Sequence, residues 1–191
     1  MKHKTSIILA SASPRRKQLM TEAGYCFVTI TPDVDEASFS SNSVKPCEYA
    51  EKLALAKAKS IADKYPDSLV IGADTIVDFD GVIIGKPNDK KHAEEIIKKL
   101  FSKPHKVITA VALVKIADRV ELVESDTTIV YPRKMTEAQL AEHIKSSIWR
   151  GKAGAYAIQE NDDFVEKIDG SFTNVMGLPM QLLERMLLSF E

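Results

Sequence analysis

Leu69-Val70-Ile71-Gly72-Ala73-Asp74-Thr75-Ile76-Val77 reads as a central, nearly continuously apolar strand, and it decides the fold class. A run of this length without polar alternation belongs inside a sheet rather than at its surface. It is also the odd stretch of the chain, because a carboxylate, Asp74, stands in the middle of it. Burying a carboxylate is expensive unless it is paired or metal-bound. Gly72 and Ala73 beside it are small and leave room for a close approach. An Asp at an exposed strand edge is the alternative.

Upstream, Pro46 to Lys64 predicts a helix, with Ala50, Leu53, Ala54, Ala58 and Ile61 on one side. Before it, Ser6 to Ala10 is a short buried strand. Ser13-Pro14 then starts a helix, with Ser at the N-cap and Pro at the first position. Leu19, Met20 and Ala23 form its apolar face and Gly24 ends it. Cys26 to Ile30 is a second strand. Thr31 to Lys45 is a polar loop, long enough that a functional role is the more common reason for it. Downstream, Asp78-Phe79-Asp80-Gly81 is a hairpin turn and Val82 to Ile84 the return strand. Asn88 caps a helix that runs to about Leu100. Val107 to Lys115 and Glu121 to Tyr131 are strands joined near Ala117 to Arg119. Thr136 caps a further helix with Glu137 in its first turn, Phe164 to Ile168 is a last strand, and Pro179 starts the C-terminal helix. Strands that first alternate with helices and then form hairpins imply an α/β protein with a mixed sheet, in one domain spanning 1–191 or in two tightly joined lobes.

Composition bounds the function. The net charge is -1, from 26 Lys and Arg against 27 Asp and Glu. That balance disfavours a general nucleic-acid binder but permits a local basic pocket. The two cysteines, Cys26 and Cys47, have no zinc-site spacing and read as reduced thiols. Lys2, His3 and Lys4 before Ile7-Ile8-Leu9, with Ala10-Ser11-Ala12 after, have the outline of a signal peptide. The apolar run falls short of the roughly 7–15 residues such a segment needs. No run approaches the ~20 residues of a membrane span. A cytoplasmic protein with no membrane partner is expected. There is no GxxxxGK[ST] loop, no metal pattern among the four histidines, and no Ser-His-Asp arrangement.

Several polar residues resist a purely structural account. Arg15 and Arg16 occupy the second and third positions of their helix, where cations oppose the helix dipole at a cost of about 0.3–1 kcal/mol each. With the Ser11 and Ser13 hydroxyls and the free N–H groups of the helix start, they would cradle a phosphate. Pairing with surface carboxylates is the alternative. Lys86, between Gly85 and Pro87, is aimed by a restrained backbone, although a loop lysine is usually just solvated. Lys57 shares its helix with Lys52, Lys59 and Lys64, and spacing alone favours a solvated face. Glu36, in Asp33-Val34-Asp35-Glu36, would suit a divalent cation, as would an acidic loop that simply stays wet. Gly151 to Gln159 is rich in small residues, with Tyr156 and Gln159 as possible contacts; a side-chain amide can read a base edge.

Taken in order, Leu9-Ala10-Ser11-Ala12-Ser13-Pro14-Arg15-Arg16, Lys57, Ile71-Gly72-Ala73-Asp74-Thr75, Gly85-Lys86-Pro87, Lys152 to Gln159 and Met176-Gly177-Leu178-Pro179 resemble the Maf family of nucleotide pyrophosphatases over essentially the whole chain. The resemblance implies an elongated mixed sheet with flanking helices forming two lobes around a deep cleft, similar to the inosine triphosphate pyrophosphatases. It implies hydrolysis of a nucleoside triphosphate to the monophosphate and pyrophosphate with a divalent cation, Mg2+ or Mn2+, and a homodimer. Asp74 falls on the family's general-base position and would also hold the metal with Glu36. Ser11, Arg16, Lys57 and Lys86 fall on phosphate and catalytic positions.

The family divides by substrate at the positions of Arg15, Thr75 and Gln159, which look like the dTTP/UTP branch. The 7-methyl-GTP branch would carry Trp, Gln and Glu there. The chain departs from its near relatives at Glu160-Asn161-Asp162-Asp163, where they often have glycines. The expected chemistry is attack of water on the α-phosphorus. The competing expectations are a 7-methyl-GTP pyrophosphatase and a non-catalytic nucleotide-binding regulator of cell division. Asp74, Lys57 and Lys86 together speak against the regulator, since binding alone needs no buried base.

Overall fold

The computed structural model describes residues 6–39, 44–156, 158 and 164–189. Strand β1 (Ile7–Ala10) leads through Ser11-Ala12-Ser13 into helix α1 (Pro14–Glu22), then strand β2 (Phe27–Ile30) and helix α2 (Pro46–Ala62). The long strand β3 (Leu69–Phe79) follows and turns into β4 (Val82–Ile84). Helix α3 (Lys90–Leu100), strands β5 (His105–Lys115) and β6 (Val120–Pro132), helix α4 (Glu137–Ser146), strand β7 (Val165–Asp169), and helices α5 (Phe172–Met176) and α6 (Met180–Leu188) complete the chain. The sheet runs β2-β1-β3-β5-β6-β7, with β4 also on β3. β1 is parallel to β2 and to β3; every other pairing is antiparallel. The mixed α/β architecture is the expected one.

β3 is buried almost throughout because helices cover both of its faces. Val70 and Ile76 join Ile8, Ala10, Ile108, Ala110 and Ala112 under α2, where Ala50, Ala54, Ala58 and Ile61 pack. Leu69, Ile71 and Ala73 face the other way, against Leu19 and Met20 of α1 and Leu182, Leu183 and Met186 of α6. Farther along, Val77, Phe79, Val107 and Val130 form a separate core with α3, Leu140, Trp149 and Tyr156. On the face away from α2 the two ends of β3 and β5 thus belong to different hydrophobic cores, whereas the core under α2 runs along both strands.

Gly72 sets how closely α2 lies on the sheet. A Cβ there would stand 2.3 Å from the Ala54 carbonyl oxygen and 2.7 Å from the Ala58 nitrogen. The room beside Asp74 that the sequence offers to a ligand is therefore filled by the α2 backbone. The alanines at 50, 54 and 58, one turn apart, are what let the helix come so near.

Other local expectations shift by a residue or more. β3 runs to Phe79, so only Asp80 (φ 54) and Gly81 (φ 80) make the turn. Both are left-handed, as a tight two-residue hairpin requires, and the Asp78 carboxylate accepts the Gly81 N–H at 2.7 Å. Asp89, not Asn88, caps α3, accepting from the His92 N–H at 2.8 Å. Ser13 holds the α1 cap position without a side-chain cap bond; the Ser11 hydroxyl accepts the Ser13 N–H instead, at 3.1 Å. Ala23 is exposed, and Pro179 precedes α6 rather than opening it. Thr136 caps α4 in a full capping box with Gln139. α5 went unforeseen because five residues are too few to show a helical period.

Candidate active site

β1 ends at Ala10 opposite Gly72, and β4 begins its pairing opposite Phe79 and ends it opposite Val77. Neither strand pairs with Ala73 to Ile76, so β3 has an open edge there, directly beyond the carboxyl end of β1. A gap of that kind is where open α/β sheets bind ligands. A cavity of about 510 Å3 occupies it. Its lining brings together Ser11, Ser13, Arg15, Arg16, Glu36, Lys57, Asp74, Thr75 and Lys86, which are dispersed over 76 residues of chain but share this one space.

Asp74 and Thr75 are consecutive and point to opposite faces of β3. Asp74 faces α2, where it meets Lys57. The Lys57 ammonium donates to Asp74 Oδ1 at 2.6 Å and lies 2.7 Å from Glu36 Oε1. Asp74 and Lys57 are 7% and 8% exposed. Lys57 thus departs from the solvated face that helical spacing favours: it lies on the buried stripe of α2, one residue before Ala58, because Asp74 meets it there. Glu36 comes from a one-turn 3-10 segment (Glu36–Ser38) capped by Asp35. Its second oxygen is 3.5 Å from Lys86, which is exposed at the cavity mouth. Burial works against the Glu36 carboxylate, but the hydrogen bond and charge of Lys57, reinforced by Lys86, outweigh it and hold the group below its usual range. An ammonium has three N–H donors, so Lys57 retains one beyond its two carboxylate partners.

Arg16 lies on the Thr75 side, and its guanidinium is held by the protein itself. Nε donates to Gly177 O at 2.7 Å, one terminal nitrogen to Ala73 O at 2.8 Å and Ser11 Oγ at 3.3 Å, and the other to Thr75 Oγ1 at 3.0 Å. The Ala73 carbonyl is one of the β3 acceptors that β1 leaves open, and Arg16 closes it. Burial pulls this guanidinium below its usual value, with Asp74 acting in the opposite sense. Among the described residues Arg15 is held at Nε alone, which donates to Met176 O at 3.3 Å, and it lines the same cavity. Ser11 Oγ accepts from Arg16 and from the Ser13 N–H, so its own hydrogen is left to donate.

The opposite wall comes from the core around α3: Arg150, Lys152, Ala153 and Tyr156, with Val77 and Val107. The Tyr156 hydroxyl is taken by His105 Nε2 at 2.8 Å, so the ring, not the hydroxyl, faces the space. His105 Nδ1 lies 3.2 Å from Leu100 O, which assigns the proton to Nδ1 and makes Tyr156 the donor to Nε2. Sequence reasoning passed over Arg150; a cation before Gly151-Lys152 carries no signal that separates it from a surface arginine. Gln159 lies outside the described residues. Six cations (Arg15, Arg16, Lys57, Lys86, Arg150, Lys152) and two carboxylates line the cavity of a chain whose net charge is -1. A cavity with that balance of charge suits an anion.

The family described as Maf-like protein matches residues 6–190. The chain belongs to the Maf family. Among its relatives, a protein of Ruminiclostridium cellulolyticum named dTTP/UTP pyrophosphatase is 40% identical over 183 residues, covering 95% of this chain and 94% of that one. One of Elusimicrobium minutum with the same name is 41% identical, covering 96% and 98%. Among solved structures, a HAM1 protein from Coxiella burnetii is 14% identical with a TM-score of 0.49, covering 97% of this chain and 100% of that one. In this Maf-family chain the Ser11 to Arg16, Lys57, Asp74-Thr75, Lys86 and Met176-Gly177 segments, far apart in sequence, all reach the cavity wall. Among the described residues no helix is long and apolar enough to cross a membrane.

Proposed function

We propose that this cavity binds dTTP or UTP and releases pyrophosphate, leaving the nucleoside monophosphate. The relatives' shared name supports the activity. One observation carries the site assignment: the buried Lys57–Asp74 pair opens onto a cavity that six cations line, at a break in the sheet. Only a ligand with several negative charges repays that concentration.

Water attacks the α-phosphorus and pyrophosphate leaves. Asp74 orients this water and accepts its proton. Lys57 keeps Asp74 in place and directs its remaining N–H at a phosphate oxygen. Ser11 donates its hydroxyl hydrogen to another, with the N–H groups at the start of α1 beside it. Lys86 takes the charge of the departing phosphates, and Arg15 and Arg150, at the open side, hold the triphosphate as it binds. Such donors are each worth roughly 3–4 kcal/mol when they act on developing charge. Arg16 holds Ser11 and the Ala73–Asp74 peptide in register.

Two carboxylates, Glu36 and Asp74, meet on one ammonium. Hard oxygen donors of that kind suit Mg2+ or Mn2+, and Glu36 and Asp74 would hold the ion. When bound, the ion neutralises phosphate charge and favours attack at phosphorus. Thr75 and Gln159 fall on the branch-dividing positions, and Thr75 acts there through the wall it builds, because its hydroxyl is already bonded. A cytoplasmic homodimer completes the proposal.

The test is a nucleotide panel with pyrophosphate detection, run with and without Mg2+ and Mn2+. dTTP and UTP should outrun dATP, GTP and 7-methyl-GTP. Faster turnover of 7-methyl-GTP moves the chain to the other branch, and retention of intact triphosphate makes it a binder.

A further inference from the structure

Behind the cavity a chain of hydrogen bonds runs from Arg16 across β3 and β5 to α5. Arg16 donates to Thr75 Oγ1 at 3.0 Å. Thr75 Oγ1 and Thr109 Oγ1 are 3.0 Å apart, opposite one another in the β3–β5 register. Thr109 donates to the Asn174 carbonyl at 2.9 Å. A hydroxyl has one hydrogen. Thr109 spends its own on Asn174, so Thr75 donates to Thr109, and the chain has a single direction. Its far end is fixed: the Asn174 side-chain amide donates to Val107 O at 3.0 Å and Thr128 Oγ1 at 2.8 Å. Thr109 and Asn174 are fully buried, and Thr109 does not line the cavity. The competing contact of Thr75 Oγ1 to Gly177 O is long, at 3.5 Å.

We infer that Thr109 is a positioning residue, which acts on the reaction through Thr75 and Arg16. Resting on the triphosphate reading of the cavity, the reasoning is geometric. Arg16 is the common donor to Ser11 Oγ and to the carbonyl of Ala73, the residue before Asp74. Removing the acceptor for Thr75 frees that hydroxyl to turn toward Gly177 O and compete with Arg16 there. The groups displaced are Ser11, which donates to a phosphate oxygen, and Asp74, which takes the proton of the attacking water. The cations at the open side, Arg15, Lys86 and Arg150, are outside the chain of bonds, so the hold on the bound triphosphate is left as it is. Thr109 therefore belongs to kcat rather than to KM.

Thr109→Val keeps shape and removes the hydroxyl; Thr109→Ser keeps the hydroxyl and removes a methyl. The expected result is a folded Val variant with kcat down about tenfold, the scale of one buried hydrogen bond, and KM within about twofold. The Ser variant restores most of kcat. A Val variant with wild-type kcat, or a Ser variant as impaired as Val, overturns the inference. Should Val not fold, Thr109→Ala carries the same comparison. Slow exchange of the Arg16 Nε–H by NMR in the wild type and the Ser variant, and fast exchange in the Val variant, tests the chain of bonds without turnover. Unchanged exchange overturns it. A wild type that releases no pyrophosphate from any nucleotide condemns the functional reading instead, and leaves the exchange measurement to decide on Thr109.

Discussion

The Lys57 ammonium lies 2.6 Å from Asp74 Oδ1, and both groups are buried where α2 crosses β3. The pair joins an element whose helical period hides its function to one whose apolar run advertises it. Lys57 also meets Glu36, so each carboxylate shares its counter-ion with the other.

Asp74→Asn removes the proton acceptor while keeping the shape. Lys57 retains Glu36, which limits the cost of stranding a buried charge. Pyrophosphate release should fall about 10²–10⁴-fold with near-UV circular dichroism unchanged. A folded Asp74→Asn protein with full turnover refutes the assignment.

Gly72→Ala places a methyl against the backbone of α2, 2.3 Å from an oxygen that cannot swing aside. The helix must move off the sheet, costing about 3 kcal/mol and separating Lys57 from Asp74. Urea midpoint and kcat should fall together. Unchanged stability would show that α2 is not seated as described.

Arg16→Lys exchanges a fork that satisfies four acceptors for a point donor. The loss should be about 3 kcal/mol, read by calorimetry as a lower Tm, with reduced kcat. Arg15→Ala, which breaks one long bond to Met176 O, should raise KM for the triphosphate and leave Tm nearly unchanged. Swapped outcomes would exchange the roles of the two arginines.

His105 gives the fold a pH dependence. Burial pushes its pKa from 6.5 down to about 4, against the smaller opposing pull of the Leu100 and Lys103 backbone hydrogen bonds. The unfolded chain takes up the proton first, so this stability is whole above pH 6.5. It is lost as pH falls from 6.5 toward 4, in total about 3 kcal/mol. Below pH 4 this group costs nothing more. Urea unfolding across that window should give a flatter pH profile for His105→Gln than for the wild type. Parallel profiles would place the acid sensitivity elsewhere.

Much of the fold was legible because its signals are local. The run from Leu69 to Val77, the Pro14 and Pro46 helix starts, and the Thr136 cap each follow from a few neighbouring residues. Residues recognised as anomalous, Asp74 and Arg15-Arg16, do reach one cavity. The distinction between the two arginines was not legible: consecutive residues on one helix turn are alike in sequence. Only the acceptors at Ala73, Ser11, Thr75 and Gly177 commit Arg16 to the wall. Lys57 looked like its solvated neighbours because nothing in α2 records what lies beneath it. Arg150 offered no signal at all.

The sequence by itself determined the mixed α/β architecture and the set of polar residues too costly to bury without purpose, because hydrophobic period, capping and turn chemistry act over a few residues; the family likeness rested on motifs that recur in order along the chain. The tertiary structure alone decided which side chains share a cavity, which cations are committed to protein acceptors, and that β1 ends four residues short of its neighbour's need. Those depend on strand register and on the distance between α2 and β3, which are set by contacts between residues far apart in the chain.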